Sequence, residues 1–357
     1  MKRSSWWFDP VGPMNIEAYQ QACQHQQQLT KPAGSLGRLE QLAQSFARWQ
    51  GQALPELEHI LVTVFAGDHG VCAHGVSAFP QAVTTQMICN FLSGGAAISV
   101  LSRALDAQFS VVNMGTVEPL PAMMLEHPYL TPTNIAHSTA DFTAEPAMTP
   151  EQLAYCLNTG REAVTRQPTA QLFIGGEMGI GNTTSASAIY AAVMGLSVSA
   201  AVGPGTGVDD EGLQRKQRAV KQALSLHQST LDDPLDILRC VGGFEIAALV
   251  GSYIACAQQG TPVVVDGFIC TAAALLAVAI NPGVQDWLLF SHCSAEPAHR
   301  LALEYLEAKP LLDLGMRLGE GSGAAIVVPI IQSALLLHRE MATFEQAGVS
   351  DTNKEPQ

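Results

Sequence analysis

The sequence predicts an α/β protein: an open, mostly parallel six-stranded sheet with helices on both faces. Three observations carry this. Six short, apolar, β-rich runs alternate with stretches of helical pattern, which is how parallel strands with crossover helices read. The runs are apolar throughout rather than alternating, as expected of strands buried on both faces. Hydrophobic residues make up 47% of the 357 and charged residues 14%, which is enough to cover such a sheet.

In chain order, Met14 to Gln28 reads as a polar-faced helix rich in glutamine. Pro32 and Gly34 then break the chain, and Ser35 is available to cap a second helix. Leu36, Leu39, Leu42, Phe46 and Trp49 recur at helical spacing and need a surface to pack on. The strand candidates are Ile60–Ala66, Gln108–Met114, Gln171–Ile174, Val198–Val202, Pro262–Val265 and Trp287–Phe290. The helices between them are expected over Ala82–Leu105, Pro150–Arg166, Thr184–Val193, Asp210–Ser225, Gly243–Gln258 and Thr271–Ala279. Gly115 to Thr149, with five prolines, reads as irregular, and the polar tail from about Glu345 as frayed. A last apolar helix runs from Ala324 to Leu337.

The bulk properties exclude several functions. A net charge of −14 argues against a general nucleic-acid or acidic-membrane surface. Eight scattered cysteines, none in a CxxC pair, fit a reducing cytoplasm without a disulfide framework. The first thirteen residues lack the apolar core of a signal peptide. No apolar run reaches the roughly 18 residues of a membrane span, so a soluble protein is expected.

Chemistry gathers after the strands. Asp68 and His69 follow the first, and Gly175 to Thr184 follow the third. Gly203 to Gly207 follow the fourth, Asp266 and Gly267 the fifth, and Ser291 to Glu296 the sixth. In an open parallel sheet these positions face one crevice. The glycine-rich segments precede helices, whose free N–H groups bind phosphate, yet neither matches GxGxxG or a P-loop. Turn geometry alone explains such glycines equally well. Lys216 can reach back to a phosphate or lie on a solvated helix face. Asp68, His69 and His74 fit no common zinc spacing, and Ser291 with His292 lacks a hydrolase elbow. Glu320, between Gly319 and Gly321 at the start of the last helix, has two readings: a proton acceptor tuned by burial and the helix dipole, or a residue that tops off a helix N-terminus.

The segments Lys31–Glu40, Gly67–Val71, Gly176–Thr184, Val241–Glu245, Asp266–Phe268 and Met316–Ala325 resemble, in the right order, those of the nicotinate-nucleotide–dimethylbenzimidazole phosphoribosyltransferase family. The resemblance runs from about Leu29 to Leu337. It implies transfer of the ribose phosphate of nicotinate mononucleotide to 5,6-dimethylbenzimidazole, giving α-ribazole 5′-phosphate and nicotinate in cobalamin lower-ligand assembly. It also implies a homodimer; no metal is required, because departing nicotinate loses the positive charge of its pyridinium, and no cofactor is expected. Residues 1–55, with part of 322–357, would form the small helical domain, and 56–321 the α/β domain that binds nucleotide and base.

By the same resemblance Glu320 is the general base, while Glu177 and Lys216 lie at the ribose-phosphate side. Gly176, Gly179, Gly181, Asn182, Thr183, Gly203 and Gly205 would surround the phosphate. Asp68, His69, Asp266 and Ser291 are further candidates to bind substrate, and Phe79, Met87, Met178 and Leu318 are candidates for a flat apolar wall, where ordinary core packing explains at least half of them equally well. Three positions depart from the family pattern: Asn113 in place of an aspartate, the string Thr131–Ala136, and Phe79 at the wall for the base. They leave the choice of aromatic base open. The same loops and carboxylate would also serve a nicotinate nucleotide hydrolase, with water as acceptor, or a non-catalytic nucleotide sensor.

Overall fold

The computed structural model describes residues 5–133, 135–205 and 207–350. Six strands, β1 Ile60–Gly67, β2 Gln108–Gly115, β3 Leu130–Pro132, β4 Leu172–Met178, β5 Val263–Val265 and β6 Leu288–Phe290, form one sheet in the order β3-β2-β1-β4-β5-β6. Every pairing is parallel. The order reverses between β1 and β4, and a crevice at the carboxyl ends beside that reversal is where an open α/β sheet binds its ligand.

The helices are α1 Ile16–Gln28, α2 Arg38–Gln50, α3 Ala82–Leu92, α4 Ala97–Ala104, the short α5 Ala122–Leu125, and α6 Pro150–Thr165. Between β4 and β5 run α7 Asn182–Met194, α8 Val198–Ala201, α9 Asp210–His227, α10 Pro234–Val241 and α11 Phe244–Gln259. Then come α12 Phe268–Ile280, α13 Pro297–Tyr305, α14 Ser322–Glu340 and α15 Phe344–Ala347. Alternate side chains of β1 feed two cores, as the pleat demands. Leu61 and Phe65 meet Leu153 of α6, Ile189 of α7, Leu249 of α11 and Leu275 of α12. Val62 and Val64 meet Phe46 of α2, Ile88 of α3, Ile98 of α4 and Val328 of α14. The amphipathic face of α2 thus finds its surface on the sheet and on α14, with α1 packed behind it. We propose the division into 1–55 with part of 322–357, and 56–321, as one of chain topology, because the helical part shares a core with the strands.

Several boundaries differ from expectation. Val198–Val202 is not a strand: Ser197 caps a short helix there by accepting the Ala200 N–H at 3.3 Å. The sixth strand is instead β3, inside the segment read as irregular, where it pairs with β2. Strand β4 runs on to Met178, so Gly175 and Gly176 are strand residues and not loop. The stretch Ala82–Leu105 is broken by Gly94, whose φ of +79° ends α3. Helix α2 starts after Gly37, not from a Ser35 cap. The tail forms α15 behind a Thr343 capping box, and residues 351–357, like Asn134 and Thr206, lie outside those described.

The expectation on apolar runs is also corrected. Ala82–Ala104 and Ser322–Glu340 are long and apolar enough, by length and composition, to cross a membrane. The first is two helices, and the second is built into the core through Ala324, Val327, Val328 and Ile331.

Candidate active site

A cavity of about 310 Å³ opens where β4, β5 and β6 end. Its walls come from Glu177–Thr183 at the end of β4 and just beyond it, Asp266–Cys270 after β5, and His292, Ser294 and Glu296 after β6. Pro204, Gly205 and Lys216 close one end, Arg317–Glu320 pass over it, and Val76, Phe79 and Met87 form an apolar side.

Glu320 has φ +66°, between Gly319 at +86° and Gly321 at +87°. A non-glycine residue in the left-handed region costs about 1–2 kcal/mol, and such strain persists only where the surroundings impose it. Here Asp266 imposes it. Its two carboxylate oxygens accept the Gly321 N–H at 3.1 Å and the Ala324 N–H at 3.0 Å, capping α14 from another strand. The Ser322 hydroxyl donates to the Gly319 carbonyl at 2.7 Å. Glu320 is itself largely buried, and its Oε2 accepts a long bond, 3.4 Å, from the Ile98 N–H. Burial, with the Asp266 charge added, raises its pKa above the ordinary carboxylate value. A nearly unsolvated carboxylate of raised basicity suits proton acceptance.

Glu177 sits at the end of β4 and accepts a hydrogen bond from the Asn182 side chain. Burial first, then the Asp266 and Glu245 charges, push it up to about 8, so at neutral pH it holds a proton and can donate one. Gly319 passes so close that a Cβ there would meet the Glu177 carboxyl.

Lys216 reaches in from α9 and is almost wholly buried. It donates to the Thr183 hydroxyl at 3.0 Å and the Gly203 carbonyl at 3.1 Å, and among the described residues its third N–H has no hydrogen-bond partner. Burial lowers it to about 8, and the Glu296 charge opposes that shift. Nearby, α7 begins at Asn182 behind Gly181, with φ +97°, and its first residues Asn182 and Thr183 line the cavity, although the Asn182 and Thr184 N–H groups are taken by the Gly179 and Gly181 carbonyls.

Glu177, Gly179, Gly181, Asn182, Thr183, Gly205, Lys216, Asp266, Phe79, Met87, Met178, Leu318 and Glu320 therefore line one space. Five expected residues do not. Asp68 is buried with both oxygens engaged, by the Thr84 hydroxyl at 2.6 Å and the Val117 N–H at 2.9 Å. His69 pairs with Glu245 at 2.7 Å beneath the site, both side chains fully buried. Gly176 lies within β4, where its missing side chain leaves room for the Glu320 carbonyl. Gly203 serves through its carbonyl behind the wall, and buried Ser291 holds the His292 ring at 2.9 Å. Asn113 also stays outside, accepting the Gly115 N–H at 2.9 Å.

Sequence reasoning placed the cluster Ser291 to Glu296 at the crevice without singling out His292 and Glu296 as wall residues, which they are. Their position in the cluster after the sixth strand was the available signal. Among the described residues no group of three or more His, Cys, Asp and Glu is placed to hold a metal ion.

Comparison with known proteins adds an independent line. The family model DBI_PRT, a phosphoribosyltransferase, matches residues 11–349. Nicotinate-nucleotide–dimethylbenzimidazole phosphoribosyltransferase of Pseudomonas putida F1 is 53% identical over 349 residues, covering 97% of this chain and 98% of the relative. The protein of the same name from Pseudomonas aeruginosa UCBPP-PA14 is 54% identical over 348 residues, with 97% and 98% covered. The crystal structure of the enzyme of that name from Thermus thermophilus superposes with a TM-score of 0.87 at 45% identity, covering 95% of this chain and all of that one.

Proposed function

This chain belongs to the nicotinate-nucleotide–dimethylbenzimidazole phosphoribosyltransferase family, and we propose that Glu320 is the base through which its cavity performs the family's reaction. The protein is a pentosyltransferase of cobalamin biosynthesis, moving the phosphoribosyl group of nicotinate mononucleotide to 5,6-dimethylbenzimidazole. A benzimidazole nitrogen attacks C1′ of the ribose from the face opposite nicotinate. As its lone pair forms the new bond, the ring gains positive charge and its other N–H becomes acidic. Glu320 takes that proton. Nicotinate leaves with the electrons of the broken C–N bond and loses the charge of its pyridinium. The observation that carries this reading is the strained, buried Glu320 facing the same cavity as the cation Lys216.

In this reading Lys216 and the α7 N-terminus hold the phosphate, protonated Glu177 donates to the ribose side, and Phe79, Met87, Met178 and Leu318 flank the planar base. Phe79 and Leu318 are half-exposed at the rim, where a bound ring would cover them. The enzyme is proposed to act as a soluble, cytoplasmic homodimer. Sedimentation at the monomer mass at working concentration would remove the dimer.

The direct test supplies purified protein with nicotinate mononucleotide, with and without 5,6-dimethylbenzimidazole. Nicotinate and α-ribazole 5′-phosphate are expected only when both substrates are present. Nicotinate released equally fast without base would make the protein a hydrolase, and binding without turnover a sensor.

Lys216→Ala should raise KM for the nucleotide by about 10-fold or more, since a charged hydrogen bond contributes roughly 1.5–3 kcal/mol, with little change in KM for the base. The opposite pattern would reassign the lysine. In the unmodified enzyme Lys216 loses its proton as pH rises through about 8, so nucleotide KM should climb above that pH. Glu320 must be ionised to accept a proton, so kcat should fall on the acid side, from a midpoint above the ordinary glutamate value.

A further inference from the structure

Glu296 is a buried carboxylate for which the reaction has no evident use. It is the N-cap residue of α13, yet its side chain makes no capping bond to that helix. It turns instead toward the cavity, where its carboxylate fills the space that a Cβ on Gly203 would need. Gly205, Lys216 and Arg317 line the same cavity, Lys216 donating to the Gly203 carbonyl at 3.1 Å, and all three favour the ionised form of Glu296. These are the donors and cations that a phosphate at this end would use.

We propose that Glu296 is a specificity residue that senses the substrate phosphate: its carboxylate occupies the phosphate's donor field in the free enzyme, and phosphate binding makes it take up one proton from solvent. The inference rests on the reading above that the phosphate lies beside Lys216.

The groups facing Glu296 determine the sign. Lys216 comes from α9 and Arg317 from the strap before α14, and both favour the ionised form. The Tyr190 phenol of α7 senses the charge from the other side. On α13 itself, His299 is neutral, pushed down to about 3 by burial and by His292, and its Nδ1 accepts the Ser294 N–H at 2.7 Å. In the free enzyme the two cations therefore oppose the burial that raises Glu296. A bound phosphate dianion neutralises them and adds a like charge, so both remaining influences drive the carboxylate toward its acid form. The new O–H then donates to a phosphate oxygen, turning a repulsion into a hydrogen bond. A nucleoside without the phosphate meets an ionised Glu296 and gains neither change.

The test is calorimetric binding at pH 7 in buffers of different ionisation enthalpy, using nicotinate mononucleotide and the same compound lacking its phosphate. Wild type should take up about one proton with the nucleotide and none with the riboside. Lys216, at about 8, and the phosphate's second ionisation, near 6, each contribute only about a tenth of a proton, with opposite signs. Glu296→Gln should bind the nucleotide with no uptake.

No uptake by wild type, or equal uptake by the variant, overturns the proposal; the wild-type comparison needs no variant to fold. Lys216→Ala separates the two layers. If it binds the nucleotide as tightly as wild type, the phosphate lies elsewhere and the underlying reading fails. If it loses nucleotide affinity but not riboside affinity, while Glu296→Gln keeps wild-type uptake, only the role of Glu296 fails.

Discussion

Glu320→Gln is expected to lower kcat by about 10²–10⁴-fold, the usual contribution of a positioned general base, while leaving nucleotide affinity near normal. Glutamine keeps the length and one accepting oxygen, so the bond from Ile98 survives. The fold should survive as well, because the left-handed backbone is held by the Asp266 bonds to Gly321 and Ala324, not by the Glu320 side chain. What disappears is a group able to accept a proton and balance the charge growing on the benzimidazole. Steady-state kinetics with each substrate varied in turn would show a loss in kcat, and a melting curve would show an unchanged midpoint. Wild-type turnover in this variant would remove Glu320 from the role. A base analogue lacking the second N–H should narrow the gap between wild type and variant, since no proton then has to leave.

How much of this site was legible depends on how local each signal is. Strands β1 and β2 are eight residues long and apolar over most of their length, so their pattern survives without context. Strand β3 has three residues, one of them a proline, and leaves no periodicity to find; its edge position is what tolerates the missing N–H. Val198 to Val202 has a strand's composition, yet the Ser197 cap just before it decides the backbone. Glu320, Glu177 and Lys216 were singled out by the resemblance of their segments to the family; the residues alone left Glu320 and Lys216 with two readings each. Asp266 could be placed after a strand, but its role as a cap could not be read. Its partners Gly321 and Ala324 are 55 and 58 residues away, and no spacing rule reaches that far. Asp68 and His69 show the converse. Polar residues after a strand resemble a binding site until the fold shows their partners to be internal.

Gly176→Ala should give the second large effect, and its neighbour supplies the control. Successive strand residues face opposite sides of the sheet. A Cβ on Gly176 would run into the Glu320 carbonyl and lie 3.1 Å from Val64 Cγ2, so the backbone carrying the base must move. A Cβ on Gly175 would instead meet the side chains of Leu249, Phe173 and Tyr253 in the core on the other face. Both substitutions overpack, at roughly 1–3 kcal/mol each, and both should lower the melting temperature. Only Gly176→Ala should also lower kcat, by about 10²-fold, the scale expected when a catalytic group is displaced by about 1 Å. Its nucleotide KM should change less than kcat, because Lys216 is anchored to Thr183 and Gly203 and not to Gly176 or Glu320. Equal kcat in the two folded variants would mean that Glu320 does not depend on the missing side chain of β4. Loss confined to Gly176→Ala would assign that glycine to holding the base in place rather than to touching the phosphate.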